Sequence, residues 1–465
     1  MFNLLLSRPK DEVALIYNKK TYLVNDILNK ANEICAKLSI FEDHLNPRIL
    51  VPTDNPVLFL SALIACWQKR YIVIPKRQEI DVSPLNTYEK YFPNGTIELI
   101  EDEQYKIILH KDTPKNHPYY GDIFLTTTGS TGEPKGVVLT SEQLLLNAFL
   151  AGQTIGLKKG EPWGIETDLA LTSGLCHLLM AWVKGLPLYY LRNATRDEKN
   201  RFFALKNAGY GGAPIQAFRL VDEIENGFSP NHLMVSGDFL TQNMLAKIQN
   251  RFPETKIHKV YGLTEVSGRF CIMPNHLINI EQDAVGIPMP GFSVEIRNES
   301  GEVCQNNEQG LIYISSPLLM RGYLIDSIFY PQKYEEWFCT NDVGHFNDHS
   351  FLCLQGRAND SFKVGGEKVD RFTIEKALEP ILSGYEYCVL PVTHNFLGYC
   401  PGLFIARNNA LPKLRWKLII SQLSKYLPSR CLPMHATLLD ELYRKPNGKL
   451  DRERIIAADG ETLEW

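Results

Sequence analysis

The sequence predicts an α/β fold: a large N-terminal domain of layered α/β subdomains, a small β-barrel-like region after it, and a small α+β domain at the C-terminus. Three observations carry that reading. A chain of 465 residues with 44% hydrophobic and 22% charged side chains is long for one core and ordinary for a globular protein. Up to about residue 260, apolar runs of strand length alternate with segments of helical period, the pattern of mostly parallel strands with helical crossovers. From about residue 285 the texture turns to short alternating runs, and beyond Asp360 to mixed helix and strand.

The elements follow in order. The longest apolar run, Val57 to Trp67, falls short of the roughly 20 residues that span a bilayer, so it reads as a buried helix with no membrane span. Tyr71-Ile-Val-Ile-Pro75 reads as a buried strand. Asp122-Ile-Phe-Leu125 reads as another strand, and Ser141-Glu-Gln-Leu-Leu-Leu as a helix opening with a cap. Leu144 to Leu150 and Gln242 to Gln249 have helical period; Leu186 to Leu191 and Lys256 to Val260 have strand length. Phe292 to Arg297 and Gly310 to Ser315 alternate, as in hairpins or a small barrel. Ile374, Ala377, Leu378, Ile381 and Leu382 share one helix face, and Tyr387 to Pro391 reads as a strand.

Bulk chemistry narrows the classes. A net charge of −4 gives no basic footprint for nucleic acid. The 10 cysteines form no Cys-x-x-Cys pair and no cluster with His, which points to reduced thiols rather than a disulfide framework or a metal centre. Met1-Phe-Asn-Leu-Leu-Leu lacks the basic start of a secretion signal, so a soluble cytoplasmic enzyme is expected.

The most informative segment is Thr126-Thr-Thr-Gly-Ser-Thr-Gly-Glu-Pro-Lys-Gly136. Glycines let backbone N–H groups approach a polyphosphate, short hydroxyls donate to its oxygens, and Lys135 supplies a mobile charge. Between a strand and a helix, such a loop can hold phosphate. It is not a Walker A loop, because Pro134 precedes the Lys and Gly136 follows it. Tyr261-Gly-Leu-Thr-Glu265 reads as a turn after a strand. Chemically, Tyr261 offers a ring for a purine, Thr264 a phosphate donor and Glu265 a carboxylate for Mg2+.

Both strings, in this order, resemble the signature segments of the adenylate-forming enzymes: acyl- and aryl-CoA ligases, peptide-synthetase adenylation domains and firefly-type luciferases. Six motif matches cover nearly all of residues 120 to 450, whereas residues 1 to 120 match loosely, at Asp54-Asn-Pro. The resemblance implies a large domain over residues 1–358 and a small mobile one over 359–465. It implies that Thr127, Thr128, Gly129, Ser130, Thr131, Gly132 and Lys135 line the ATP phosphates. Thr264 contacts the α-phosphate, Glu265 helps hold Mg2+, and Tyr261-Gly262 flanks the nucleotide. Val235-Ser236-Gly237-Asp238 resembles the adenine-lining segment, with Asp238 in place of the commoner residues. Asp342, in Thr340-Asn-Asp342, takes the place of the ribose-binding Asp; Asn341 replaces a Gly there and tolerates a left-handed φ. Arg357 reaches ribose and phosphates, and Asn359 stands at the hinge, where relatives carry Asp or Lys. In the closing Pro-x-x-Gly-Lys motif, Lys449 bridges the substrate carboxylate and ATP, with Lys445 its local rival.

The implied reaction has two halves. A carboxylate attacks the ATP α-phosphate to give an acyl-adenylate and pyrophosphate; a thiol, from CoA or a carrier protein's phosphopantetheine, then displaces AMP. Ala170, Leu171 and Thr172 fall in the segment that lines the acid pocket in the family. Thr172 stands where amino-acid-activating domains place an Asp to grip the amine, which favours an apolar or aromatic acid over an amino acid. His177 sits on a helix face in an apolar run, the usual place of a core histidine. Lys413, Arg415, Lys417, Lys425 and Arg430 would suit an acidic carrier as a separate protein. A nucleotide-binding regulator without ligase activity and a luciferase-like oxygenase are the other classes the motifs allow.

Overall fold

The computed structural model describes residues 5–77, 86–101, 104–111, 113–128, 134–281, 283–333, 336–358, 361–365, 367–408, 415–444 and 450–463. They fall into two compact units. The first joins the chain up to Phe239 with Ile248–Val294 and Ile314–Phe338; the second joins Leu240–Lys247, Glu295–Tyr313 and the chain from Cys339 onward.

Two sheets with parallel centres form the first unit. In one, Val13–Tyr17, Leu188–Tyr190, Trp163–Ile165, Gly209–Gly212, His232–Ser236 and Lys256–Leu263 lie side by side, all parallel. Gly268–Ile272 continues it antiparallel. In the other, Gly95–Glu101, Arg48–Pro52, Ile72–Lys76 and Ile123–Thr128 are parallel, and antiparallel hairpins close both edges. The helix Pro56–Gln68 packs against strands of both sheets, which explains its apolar character all round: every residue from Pro56 to Trp67 is buried. Asn55 caps it, its side-chain oxygen accepting from the N–H groups of Val57 and Leu58 at 3.0 Å each, with Pro56 at the first position. No helix among the described residues is long and apolar enough to cross a membrane.

One expectation changes. The glycine-rich segment does not lead from a strand into a helix. Ile123–Thr128 pairs antiparallel with Pro134–Leu139, Thr128 opposite Pro134, so the segment connects a hairpin, and the helix Ser141–Thr154 starts only after the second strand. Val137 and Val138 are β-branched and, with Leu139, fully buried, which makes a strand there. That helix is capped by Thr140 rather than Ser141, with Gln143 completing a capping box. The Asp122 carboxylate accepts from the N–H and the hydroxyl of Ser141 at 2.7 Å each. The positive end of this helix is therefore already occupied and does not serve a phosphate.

The strands Ser293–Arg297, Gly310–Ser315, Phe338–Phe346 and Leu352–Arg357, most of whose residues belong to the second unit, are successive sheet neighbours, with Ser293–Arg297 at an edge. The C-terminal α+β part centres on Tyr387–His394 paired antiparallel with Gly398–Ala406. Alternate residues serve two cores. Val389, Leu403 and Ile405 face Ile374, Leu378, Trp416 and Leu423; Cys388, Leu390 and Phe404 face Leu439, Leu442 and Ile455. Of the predicted helix face, Ile374 and Leu378 are fully buried and Ala377 half-buried, but the helix Arg371–Leu378 ends before Ile381 and Leu382, which lie in the turn after it.

Candidate active site

In open α/β sheets the ligand sites lie beyond the carboxyl ends of the parallel strands. The predicted residues of the first unit gather there. Ser236 ends the strand His232–Ser236, the segment Thr167–Ser173 follows Trp163–Ile165, and Tyr261-Gly-Leu263 ends Lys256–Leu263. The last strand is longer than expected: it runs through Tyr261 rather than turning there.

Hydroxyl contacts join the acid-pocket segment to the nucleotide segments. Thr172 Oγ1 and Thr264 Oγ1 are 2.6 Å apart, and Ser173 Oγ and Ser236 Oγ 3.2 Å. Ala170 is buried, while Leu171 and Thr172 at the start of the helix Thr172–Lys184 are half-buried. Thr264–Val266 forms one 3-10 turn, ended by Ser267 at φ 61° with its hydroxyl donating to Leu318 O at 2.7 Å. Only glycine fits at 262, because a Cβ there would stand 1.9 Å from the Gly268 carbonyl. Tyr261 is nearly buried, its ring 4.6 Å from that of Phe270, so little of it is open to a purine. Gly237, at φ 93°, and Asp238 are exposed, and the Asp238 carboxylate accepts from the N–H of Phe239 at 2.9 Å.

Glu265 accepts at 2.9 Å from the hydroxyl of Tyr323, and the Lys135 ammonium lies 5.6 Å from the Tyr323 ring centre. Tyr323 thus sits between the two charged residues that the resemblance assigns to the phosphates and to Mg2+. Its strand, Gly322–Ile325, pairs with the Lys135 strand, Leu324 opposite Gly136. Thr127 donates to Lys135 O at 3.5 Å. Gly129, Ser130, Thr131, Gly132 and the side chain of Thr128 lie outside the described residues, as do Asn359 and Lys449. Arg444 and Leu450, which flank the segment carrying Lys449, pair with each other.

Asp342 and Arg357 belong to the second unit. They stand opposite each other on antiparallel strands, and Arg357 Nε donates to Asp342 Oδ1 at 3.1 Å. Asp342 is 4% exposed and half of the Arg357 side chain is open. Asn341 has the left-handed φ, 59°, that its replacement of Gly requires.

Several site residues carried no signal strong enough to single them out. Nothing in Arg321-Gly-Tyr323-Leu-Ile separates Tyr323 from any strand aromatic. Asn147, an amide inside the apolar run Leu144–Leu150, is visible in hindsight. Fully buried, it donates to Arg269 O at 2.6 Å, accepts from Arg269 N at 3.2 Å and so fixes the turn that follows Glu265. Asp168 is held by Arg77 Nε at 2.8 Å, Arg192 Nη1 at 3.0 Å, Thr53 Oγ1 at 3.2 Å and Ala170 N at 2.8 Å. Burial works to raise its pKa, but the two arginines and the Ala170 N–H hold it below the ordinary carboxylate value. Because Thr53 and Arg77 directly follow strands of one sheet and Asp168 and Arg192 follow strands of the other, this cluster ties the sheets together at the pocket segment. His177 is core, as its position indicated: fully buried, its Nδ1 accepts from Trp163 Nε1 at 3.2 Å, and burial drives its pKa well down.

Against known proteins, the family model for AMP-binding enzymes matches residues 44–324. A 2-succinylbenzoate–CoA ligase of Oceanobacillus iheyensis is 25% identical over 94% of this chain and 93% of its own length. Among solved structures, the o-succinylbenzoate CoA synthetase (MenE) of Bacillus subtilis, in complex with the acyl-adenylate intermediate OSB-AMP, superposes with a TM-score of 0.78 at 18% identity, covering 99% of both chains. The same enzyme in complex with ATP and magnesium gives a TM-score of 0.75 at 18% identity, covering 97% of this chain and 99% of that one. The fold is that of these structures.

Proposed function

This chain belongs to the AMP-binding enzyme family, and we propose that it activates a carboxylic acid with ATP as an acyl-adenylate, releases pyrophosphate, and transfers the acyl group to CoA with loss of AMP. The observation that carries this reading is the 2.6 Å contact between Thr264 and Thr172, which joins the nucleotide segment to the acid-pocket segment. An apolar or aromatic acid is the substrate class, since Ala170 and Leu171 present no charge. CoA is the acceptor, because the relative over most of its length is a CoA ligase.

The chemistry is mainly charge control and alignment, since a carboxylate and ATP repel each other. Lys135 and the N–H groups of the Gly129–Gly132 loop take the phosphates, and Thr264 donates to the α-phosphate as it becomes five-coordinate. Such contacts, made to charge that develops in the transition state, are worth about 3 kcal/mol each. Glu265 fits Mg2+ arriving on ATP: one carboxylate, fixed by Tyr323, suits an ion that keeps its waters and phosphate ligands. When bound, that ion draws charge off the phosphates. Asp342 accepts from the ribose hydroxyls, Ser236, Gly237 and Asp238 line the adenine, and Arg357 pairs with phosphate. Lys449, carried by the mobile domain from residue 359 onward, pairs with the acid's carboxylate.

ATP–pyrophosphate exchange across a panel of acids, with 2-succinylbenzoate among them, tests the first half; CoA thioester formation tests the second. Acid-dependent exchange followed by thioester is expected. Exchange with none of the acids would leave a nucleotide-binding protein without ligase activity.

A further inference from the structure

Asp168 stands between the frame of the first unit and the residues assigned to the acid pocket. The chain leaving the strand Trp163–Ile165 is tied down residue by residue. Glu166 accepts from Lys199 Nζ at 2.9 Å and from the Tyr210 hydroxyl at 3.1 Å, and Thr167 donates to Gln216 Oε1 at 3.2 Å. Ala170 and Leu171 carry no polar side-chain atom, so only their backbone can be held by hydrogen bonds. Both N–H groups go to Asp168: Ala170 N donates to Oδ1 at 2.8 Å, and Leu171 N to the Asp168 carbonyl at 3.0 Å. Asp168 is thus the anchor from which the chain runs into Thr172, where the helix Thr172–Lys184 begins.

The two carboxylate oxygens divide the work. Oδ2 takes both arginines, Arg77 Nε at 2.8 Å and Arg192 Nη1 at 3.0 Å, whereas Oδ1 takes the Ala170 N–H and Thr53 Oγ1 at 3.2 Å. Tying the sheets together needs the charge on the arginine side. The Oδ1 bond does something else: it closes an Asx-turn, which a side chain one methylene longer does not reproduce. The turn also fits the helix start without slack, since a Cβ on Gly174 would stand 2.2 Å from the Asp168 carbonyl oxygen and 3.0 Å from that of Thr167. Thr172 and Ser173 carry the 2.6 and 3.2 Å contacts to Thr264 and Ser236. A shift of about 1 Å opens the first of these beyond hydrogen-bond range. We propose, resting on the adenylation reading above, that Asp168 is a positioning residue of that reaction: its Oδ1 sets the turn Asp168–Leu171, and the turn delivers Thr172 to Thr264. The arginines hold the carboxylate in place, and Asp168 acts through Thr172 rather than on a substrate.

The test is pyrophosphate exchange by the full-length protein at saturating acid, using whichever acid of the panel above, 2-succinylbenzoate included, exchanges fastest. Asp168→Glu keeps a carboxylate beside both arginines and loses the turn. It should melt close to the wild type, yet its exchange kcat should fall at least about tenfold with the KM for MgATP within about twofold. Arg192→Gln weakens the frame and leaves Oδ1 in place, so its melting temperature should fall while exchange stays within about threefold. On top of Thr264→Val, Asp168→Glu should cost less than about twofold more, because the path through Thr172 is already cut. Full exchange in Asp168→Glu overturns the proposal, and so does an undiminished further loss in the Thr264→Val background. A tenfold loss in Arg192→Gln also overturns it by assigning the effect to the tie between sheets, and that arm decides even if Asp168→Glu does not fold. Exchange with no acid in the wild type removes adenylation and this role with it. Wild-type exchange that Asp168→Glu leaves intact removes this role alone.

Discussion

A hydroxyl pair 2.6 Å apart can carry one shared hydrogen and one free one. If Thr172 donates to Thr264, the Thr264 proton is left free for the α-phosphate proposed as its acceptor. Thr172→Val then lets the Thr264 hydroxyl rotate and should lower the exchange rate constant about tenfold, the value of one neutral hydrogen bond, with little change in KM. Thr264→Val removes the donor itself and should cost about 10²-fold or more. The double variant should be no slower than Thr264→Val alone, and multiplicative losses would show that the two hydroxyls act independently. Tyr323→Phe tests the other bridge: freeing the Glu265 carboxylate should raise the KM for MgATP several-fold and leave ATP binding without metal nearly as before. At this scale the sequence was legible where a residue type is forced, as at Gly262 or at left-handed Asn341. It was silent where a common residue gains its role from a neighbour distant in the chain, as Tyr323 does from Glu265 and Asp168 from Arg77.

Among the elements, the parallel strands His232–Ser236 and Lys256–Leu263 bury a stacked pair of histidines, His232 and His258, whose nitrogens are 3.1 Å apart. Burial first, then His232 and Lys256, pushes the His258 pKa down to about 3. His117, His177, His232 and His435 shift the same way, each chiefly by burial. A base whose folded pKa lies below its unfolded value leaves the folded state with fewer protons. Stability is therefore complete above the unfolded value near 6.5 and falls as pH drops toward about 3. The slope is at most about 1.4 kcal/mol per pH unit for each such histidine. Urea midpoints should decline from pH 7 to pH 5, and His258→Gln should be less stable at pH 7 yet show a shallower decline. A decline as steep as that of the wild type would mean that His258 already titrates normally. Apolar runs and periodicity made some of the elements legible, the all-round apolar helix Pro56–Gln68 by its unbroken run. The hairpin at the glycine-rich loop was missed because Glu133-Pro-Lys-Gly136 reads as a breaker, whereas Val137-Val-Leu139 pairing with Ile123–Leu125 decides the strand.

Across the whole molecule, the residues assigned to ATP divide between the units: Lys135, Ser236, Thr264 and Glu265 belong to the first, Asp342, Arg357 and Lys449 to the second. The local motif strings and their order along the chain together made that set legible, and the division into units was not readable from them. The segments Leu240–Lys247 and Glu295–Tyr313 cluster with the C-terminal unit although they precede it by a long stretch of chain. If Lys449 acts only in adenylation, and Asn359 is the pivot that lets the second half-reaction proceed, single substitutions should separate the halves. Lys449→Ala removes the charge that steadies the attacking carboxylate, so exchange should fall at least about 10²-fold while thioester formation from supplied acyl-adenylate and CoA continues. Asn359→Pro fixes φ near −65° and denies the pivot the large dihedral change a swing requires. Exchange should then persist within a few fold while thioester formation falls by about 10²-fold. Parallel assays on the two variants decide the matter. Equal loss of both half-reactions in Asn359→Pro would place Asn359 within the site and remove the pivot. Full exchange in Lys449→Ala would shift the carboxylate's partner to Lys445.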